Sequence, residues 1–149
     1  MKKWRLVIVA ALVLLLAFFT QKNRLSQPTF SPSSSVSEQV VSDSKEVVAA
    51  YIHEHKKLPE FYMTKNEARK KGWSNGALDT VLKGRAIGGD RFGNFEGTLP
   101  DNWGPYYECD IDTIGRKKRG EKRIIFNKKG SVWYTDDHYE HFDQLYKGA

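Results

Sequence analysis

The residues best suited to chemistry in this sequence are a carboxylate, an imidazole and two guanidinium groups. Glu108 lies in a run of alternating polar and apolar residues, and His138 lies in a polar loop further along the chain. Arg119 and Arg123 lie between them. Side chains alternate between the faces of a strand, so Glu108 points to the open face of a sheet if Cys109 faces the core. Antiparallel neighbours can then bring all four groups onto one concave surface.

This set of groups suits cleavage of RNA by transesterification. A carboxylate can remove the proton of the 2′-OH, and an imidazolium can protonate the departing 5′ oxygen. Fixed cations stabilise the charge that builds on the phosphoryl oxygens. Because the substrate carries its own nucleophile, we expect no metal and no other cofactor. Each residue alone is a weak signal, since loop histidines are mostly surface residues and strand glutamates are mostly solvated or paired.

A lysine adds a further cation at the start of a predicted helix. Thr64-Lys65-Asn66-Glu67 has the pattern of a capping box, and Gly72 is a typical stop signal. Lys65 therefore lies in the first turn, beside free backbone N–H groups. Positive charge and free N–H groups together favour an anion at this position.

The elements that position these residues predict an α+β fold, with N-terminal helices packed on a C-terminal antiparallel β-sheet. We predict a first helix from Ser42 or Asp43, with Asp43 and Glu46 as a capping box, and a short third helix over 77–82. A glycine-rich loop region follows, over 88–97. Four short strands are then predicted, at 106–112, 122–127, 131–135 and 141–146.

The basic charge of the chain is unevenly distributed. The net charge is +6, but residues 1–35 contain five basic residues and no acid, which leaves +1 for residues 36–149. The overall charge is therefore no sign of nucleic-acid binding by the domain. Between Arg116 and Lys129, however, eight basic residues face one acid, Glu121. This local field could attract a phosphate backbone, although a solvated hairpin turn has the same composition.

The N-terminus predicts export. Residues 6–19 are an unbroken apolar run behind a basic start, too short for a typical membrane span. We expect residues 1–20 to be a signal segment that makes the protein secreted, or alternatively an anchor that holds the domain outside the cytoplasm. Residues 21–41 are rich in Ser and Pro and predict a flexible spacer. Residues 42–149 form the expected domain, which has one cysteine and therefore no internal disulfide.

Several stretches resemble the bacterial guanyl-preferring ribonucleases typified by barnase. The resemblance runs from about Val47 to Tyr146, in the same order along the chain. Its motifs are Lys57-Leu58-Pro59, Thr64-Lys65-Asn66-Glu67-Ala68, Gly72-Trp73, Ile87-Gly88-Gly89-Asp90 with Phe92, Asn94 with Glu96-Gly97, Leu99-Pro100, Glu108-Cys109-Asp110-Ile111, Arg123-Ile124 and Thr135-Asp136-Asp137-His138-Tyr139.

The resemblance implies roles for these residues. Glu108 would be the general base and His138 the general acid of the first step, with the roles reversed when water opens the 2′,3′-cyclic phosphate. The family's phosphate-binding cations match Lys65, Arg119 and Arg123. The loop from Phe92 to Glu96, with Asn94, would hold guanine through backbone amides and the Glu96 carboxylate, and Tyr139 would stack on the base.

The chain also departs from the family's pattern. Phe95 stands where barnase has an arginine, so a cationic contact beside the guanine loop is lost. We expect this loss either to weaken substrate binding or to replace charge attraction by stacking on a base. Lys128-Lys129-Gly130 replaces acidic and aromatic residues in a hairpin. The family pairs with a small acidic inhibitor of the barstar type, and we expect such a partner besides RNA. We otherwise expect a monomer.

Two other functions compete with an active ribonuclease. A metal-dependent hydrolase would need ligands such as His138 and His141, but in a strand residues three apart face opposite ways, and His53 and His55 diverge on a helix. An inactive exported module could instead bind RNA or the cell envelope. Such a module has no chemical need for the complete catalytic set, and chelation and mutation of Glu108 distinguish the three cases.

Overall fold

The structure is a computed structural model that describes residues 41–149. The predicted export segment, and the predicted spacer apart from Val41, lie outside the described residues. No helix within residues 41–149 is long and apolar enough to cross a membrane.

Two short α-helices and a six-stranded sheet make up the domain. The helices are α1, Lys45–His55, and α2, Lys65–Lys70, and single 3-10 turns lie at Leu78–Thr80 and Asp101–Trp103. The strands are β1 Tyr62–Met63, β2 Ala86–Phe92, β3 Tyr106–Asp110, β4 Arg123–Asn127, β5 Val132–Thr135 and β6 Asp143–Tyr146. They lie side by side in chain order, and every neighbouring pair is antiparallel except β1 with β2. The fold class is α+β, as the sequence predicts.

The sheet buries one face beneath α1. Val48, Ala49 and Ile52 of the helix pack with buried residues of β3 and β4, among them Cys109 and Ile124. Burial raises the pKa of the Cys109 thiol, which is therefore an uncharged core residue. The predicted inward direction of Cys109 is confirmed, and Glu108 consequently points to the opposite face.

The opposite face is covered only in part. Ile125 and Trp133 are buried there with Leu99 and Tyr106, and Phe142 packs against this cluster. Cross-strand register places Glu108 beside Ile125, Asp110 beside Arg123, and Arg123 beside Thr135. Asp110, Arg123 and Thr135 therefore form a row across β3, β4 and β5, and Glu108 lies two residues before Asp110 on the same face.

Several local predictions were wrong. The region predicted as a glycine-rich loop contains β2, with a register shift between Gly88 and Asp90, because glycines allow this strand to approach its neighbours closely. A Cβ on Gly88 would lie 2.6 Å from Cβ of Cys109. The parallel strand β1 was not predicted at all, and the third helix is only a 3-10 turn.

The predicted cap of the first helix was also wrong. The N-cap of α1 is Ser44, with no side-chain capping bond. The buried carboxylate of Asp43 instead accepts hydrogen bonds from the N–H and hydroxyl of Thr113 and from the N–H of Ile114. A long-range contact therefore replaces the local one.

Candidate active site

The carboxylate of Glu108 is the centre of the site. Its side chain is largely buried, and both of its oxygens accept hydrogen bonds. Lys65 Nζ donates to Oε1 at 2.6 Å, and the Tyr139 hydroxyl donates to Oε2 at 2.7 Å. Burial and the neighbouring carboxylate raise the pKa of Tyr139, so its hydroxyl stays protonated and remains a donor. The two partners hold the carboxylate in one orientation.

The start of α2 positions Lys65. The predicted capping box is confirmed, with Glu67 N–H donating to Thr64 Oγ1 and Thr64 N–H donating to Glu67 Oε2. The backbone N–H of Lys65 donates to Asp90 Oδ2 on β2 at 2.9 Å. The helix end is thus tied to the sheet, and the lysine side chain reaches the sheet face.

Asp110 joins the two arginines, and sequence reasoning assigned it no role. Arg119 Nε and Nη2 both donate to its carboxylate at 2.7 Å, which raises the pKa of Arg119. Arg123 Nε lies 3.1 Å from Oδ1 but does not point at it, and finds no acceptor among residues 41–149. Asp110 and Arg123 are 1% and 3% exposed. The alternation after Glu108, with Arg123 in the next strand, was the signal that could have identified this cluster.

His138 lies in an exposed loop beside this row. His138 and Tyr139 have φ of +58° and +77°, two successive non-glycine residues in the left-handed region. Such conformations cost about 1–3 kcal/mol each and persist only where surrounding contacts hold them. Thr135 Oγ1 accepts a hydrogen bond from Tyr139 N–H at 3.1 Å. The His138 ring lies 4.9 Å, centroid to centroid, from the Tyr139 ring, which itself reaches Glu108.

Asp137 organises the same loop. Its Oδ1 accepts hydrogen bonds from the Thr135 hydroxyl and the N–H groups of Glu140 and His141, and its Oδ2 lies 2.6 Å from His141 Nδ1. These bonds lower the pKa of Asp137, and the bond to Asp137 raises the pKa of His141. The carboxylate of Asp137 therefore holds the loop through four contacts.

The same contacts correct our argument about metal ligands. The residues after Asp136 are a turn and not a strand, so strand geometry gives no reason to separate their side chains. Ligand atoms of Asp137, Glu140 and His141 lie within 4.8 Å of one another, and His138 is outside this group. The Asp137 oxygens already accept bonds from protein donors, and these bonds account for the grouping.

A cavity of about 260 Å³ opens beside Glu108. Its lining includes all five residues predicted to bind the base: Phe92, Asn94, Phe95, Glu96 and Tyr139. The Tyr139 ring stacks on Phe92 at 5.4 Å with 25° between the planes. The structure thus brings the predicted base-binding loop and the predicted general base to one cavity.

The residues of this loop differ in whether their side chains are free to contact a ligand. Asn94, with φ of +48°, donates to Leu99 O at 2.8 Å and accepts from Leu99 N–H at 3.0 Å. Its amide therefore closes the loop and is not free for a ligand. Phe95 is 99% exposed, and the Glu96 carboxylate is also exposed.

Glu108 lines this cavity, Lys65 contacts Glu108, the two arginines cluster on Asp110, and the His138 ring lies against Tyr139. A carboxylate, cations and an imidazole in such an arrangement are suited to phosphodiester cleavage. The family model described as ribonuclease matches residues 44–146, and the chain belongs to this family. A ribonuclease of Bacillus intermedius is 33% identical over 129 residues, which cover 85% of this chain and 79% of that protein.

Two further relatives match shorter stretches. Guanyl-specific ribonuclease St of Saccharopolyspora erythraea is 42% identical over 55 residues, 36% of this chain and 54% of that protein. A solved structure of ribonuclease Sa2 complexed with mononucleotides is 31% identical, with a TM-score of 0.35, and covers 38% of this chain and 60% of that one.

Proposed function

We propose that this protein is an exported endoribonuclease that cleaves single-stranded RNA after guanosine without a metal ion. The observation that carries the proposal is the Glu108 carboxylate, held by Lys65 and Tyr139 beside the arginines that Asp110 joins. Membership of the ribonuclease family supports RNA as the substrate.

The reaction has two steps. In the first, Glu108 takes the 2′-OH proton, the 2′ oxygen bonds to phosphorus, and the bond from phosphorus to the 5′ oxygen breaks as His138 protonates that oxygen. Lys65, Arg119 and Arg123 stabilise the negative charge on the phosphoryl oxygens. In the second step, His138 takes a proton from water and the water oxygen bonds to phosphorus. The bond from phosphorus to the 2′ oxygen breaks as Glu108 returns a proton to that oxygen, which leaves a 3′-phosphate.

The cavity beside Glu108 suits guanine. Backbone N–H groups between Phe92 and Glu96 can donate to the base oxygen, and the Glu96 carboxylate can accept from the base N–H groups. Adenine offers the wrong donors and would leave these groups unpaired. The exposed Phe95 supplies an aromatic face for stacking, where barnase has an arginine. The guanyl-specific relative supports this preference.

Export and inhibition complete the proposal. The apolar run at 6–19 supports export, with residues 1–20 as a cleaved signal or as an anchor. A small acidic inhibitor would complement the cations around Glu108 and would protect the producing cell before export. The protein would act as a monomer.

The test is a cleavage assay on the full chain, in EDTA, with a short RNA that contains one guanosine. We expect a 2′,3′-cyclic phosphate at the guanosine. Glu108→Gln, which keeps the shape of the side chain, should lose cleavage by at least a hundredfold, because general bases contribute about 10²–10⁴-fold. Glu60→Gln, an exposed glutamate in the turn before β1, is the matched control and should cleave normally.

Three outcomes would contradict the proposal. Binding of RNA without cleavage by a folded protein would indicate the inactive module. Loss of activity in EDTA, restored by a divalent ion, would indicate a metal-dependent enzyme. Equal cleavage after all four bases would remove the role of the cavity in selecting guanine.

A further inference from the structure

A second cavity lies beyond the C-terminal end of β3. We call the first cavity, beside Glu108, the guanine cavity. The second cavity has a volume of about 570 Å³, and it is formed by the loop that follows β3 and by Asp136. We name it the basic cleft because five cations and three carboxylates line it. The cations are Arg116, Lys117, Lys118, Arg119 and Lys122.

The backbone of the basic cleft is fixed by the rest of the domain. Ala77 N–H donates to Lys117 O at 3.0 Å, and Gly115 N–H donates to the buried carboxylate of Asp79. A Cβ at Gly76 would lie 2.8 Å from Lys117 O, so the two segments are packed closely. These contacts hold the backbone of the loop in one position.

Three of the five cations have no partner of their own. Lys122 pairs with Asp112 at 2.7 Å, and Arg119 is bound to Asp110. The side chains of Arg116, Lys117 and Lys118 make no hydrogen bond or ion pair within the described part of the chain, and all three are exposed. Their charge serves no contact inside the domain and is free for an anion.

The basic cleft adjoins the candidate active site through Arg119. Arg119 lines the cleft and also donates to Asp110, and Asp136 lies two residues before His138. The guanine cavity contacts Glu108, and Asp110 follows two residues later, about 7 Å further along the strand. The proposed catalytic groups therefore lie between the cavity beside Glu108 and the basic cleft.

This order sets the direction of a bound RNA. Guanosine supplies the attacking 2′-OH, so its base occupies the cavity on the 5′ side of the cleaved phosphate. The departing 5′ oxygen belongs to the next nucleoside, and His138 is the residue that protonates it. The chain beyond that nucleoside leaves the site on the side of the basic cleft.

We propose that the basic cleft binds the phosphates of RNA on the 3′ side of the cleaved bond, through Arg116, Lys117 and Lys118. This inference rests on the proposed function. A single strand loses about 0.7 in salt slope for each phosphate that is neutralised. Three such contacts correspond to a slope of about 2, or an additional sixteenfold fall in kcat/KM between 50 and 200 mM salt.

The test measures kcat/KM of the full chain on three RNA substrates. GpU has only the cleaved phosphate, GpUpUpUpU adds three phosphates on the 3′ side, and UpUpUpGpU adds three on the 5′ side. The variant changes Arg116, Lys117 and Lys118 to Gln. A matched control changes three exposed lysines outside the cleft, Lys57, Lys129 and Lys147, to Gln and removes the same net charge.

We expect the cleft variant to lose about tenfold or more in kcat/KM on GpUpUpUpU at 50 mM salt. It should cleave GpU normally and keep most of its activity on UpUpUpGpU. Its kcat/KM should fall less steeply with salt than that of the wild type, by a slope of about 2. The control variant should lower kcat/KM slightly and equally on all three substrates. Equal losses in the two variants, or a loss on UpUpUpGpU instead, would overturn the proposal.

Two further measurements separate the alternatives. An oligonucleotide with deoxyguanosine in place of guanosine cannot be cleaved, so fluorescence anisotropy tests the cleft even if the proposed activity fails; equal affinity of variant and wild type would overturn the proposal. Loss of binding to phosphatidylglycerol vesicles, with unchanged RNA kinetics and affinity, would assign the cleft to an anionic surface and would also overturn it.

Discussion

Asp110 offers the sharpest test of how the site is held together. Both of its oxygens face guanidinium groups, and Asp110 and Arg123 are both almost fully buried. Asp110→Asn keeps the volume of the side chain and removes its charge. Arg123 is then buried without a counterion, and Arg119 loses the bidentate contact that orients it.

The expected cost follows from burial. Removing one partner of a buried ion pair costs about 3–5 kcal/mol, against a total stability of roughly 5–15 kcal/mol for a small domain. With a urea m-value of about 1–3 kcal/mol/M, the midpoint of unfolding should fall by more than about 1 M. Tryptophan fluorescence in a urea titration of the full chain measures this shift.

Asp112→Asn is the matched control. Asp112 and Lys122 pair at the same 2.7 Å distance, but their side chains are 39% and 47% exposed. Exposed pairs contribute about 0–1 kcal/mol, so this variant should unfold near the wild-type midpoint. If the two variants lose equal stability, or if Asp110→Asn unfolds like the wild type, the reasoning from burial is wrong.

Three further predictions concern the elements around Glu108. Thr64→Ala removes the cap of α2 and should lower the free energy of unfolding by about 1 kcal/mol in the same titration; an unchanged midpoint would contradict it. Tyr139→Phe removes the hydroxyl bond to Glu108 and should lower kcat more than it raises KM in the cleavage assay, whereas a change in KM alone would assign Tyr139 to base binding. The bond to Asp137 raises the pKa of His141, so the pair stabilises the loop below pH 6.5 and this stabilisation is lost as the pH rises through the folded-state pKa. His141→Asn should remove that part of the pH dependence of the melting temperature, and an unaltered dependence would show that the pair contributes nothing.

The sequence predicted the parts of this protein that depend on local rules. The cap of α2 requires only Thr64 and Glu67, three residues apart, and it forms as predicted. The direction of Glu108 depends only on strand alternation and on the inward position of Cys109. The class of fold followed in the same way, from helical patterns before strand patterns.

The features that were missed depend on contacts distant in sequence. Asp43 has the spacing of a cap but binds Thr113, seventy residues away, because that loop offers three donors together. Strand β1 has only two residues, and its parallel partner β2 begins 23 residues later, so no local periodicity marks it. The role of Asp110 required the register of β3 against β4.

The contact of Asp43 also sets a limit on how far the chain can be shortened. A protease that cuts before residue 42 leaves the carboxylate in place, and a cut after residue 43 removes it. The second cut leaves the N–H groups of Thr113 and Ile114 without their acceptor, at the base of the loop that carries the basic cleft. We therefore expect the domain to tolerate cleavage up to Val41, whereas Ser42 and Asp43 belong to the folded domain.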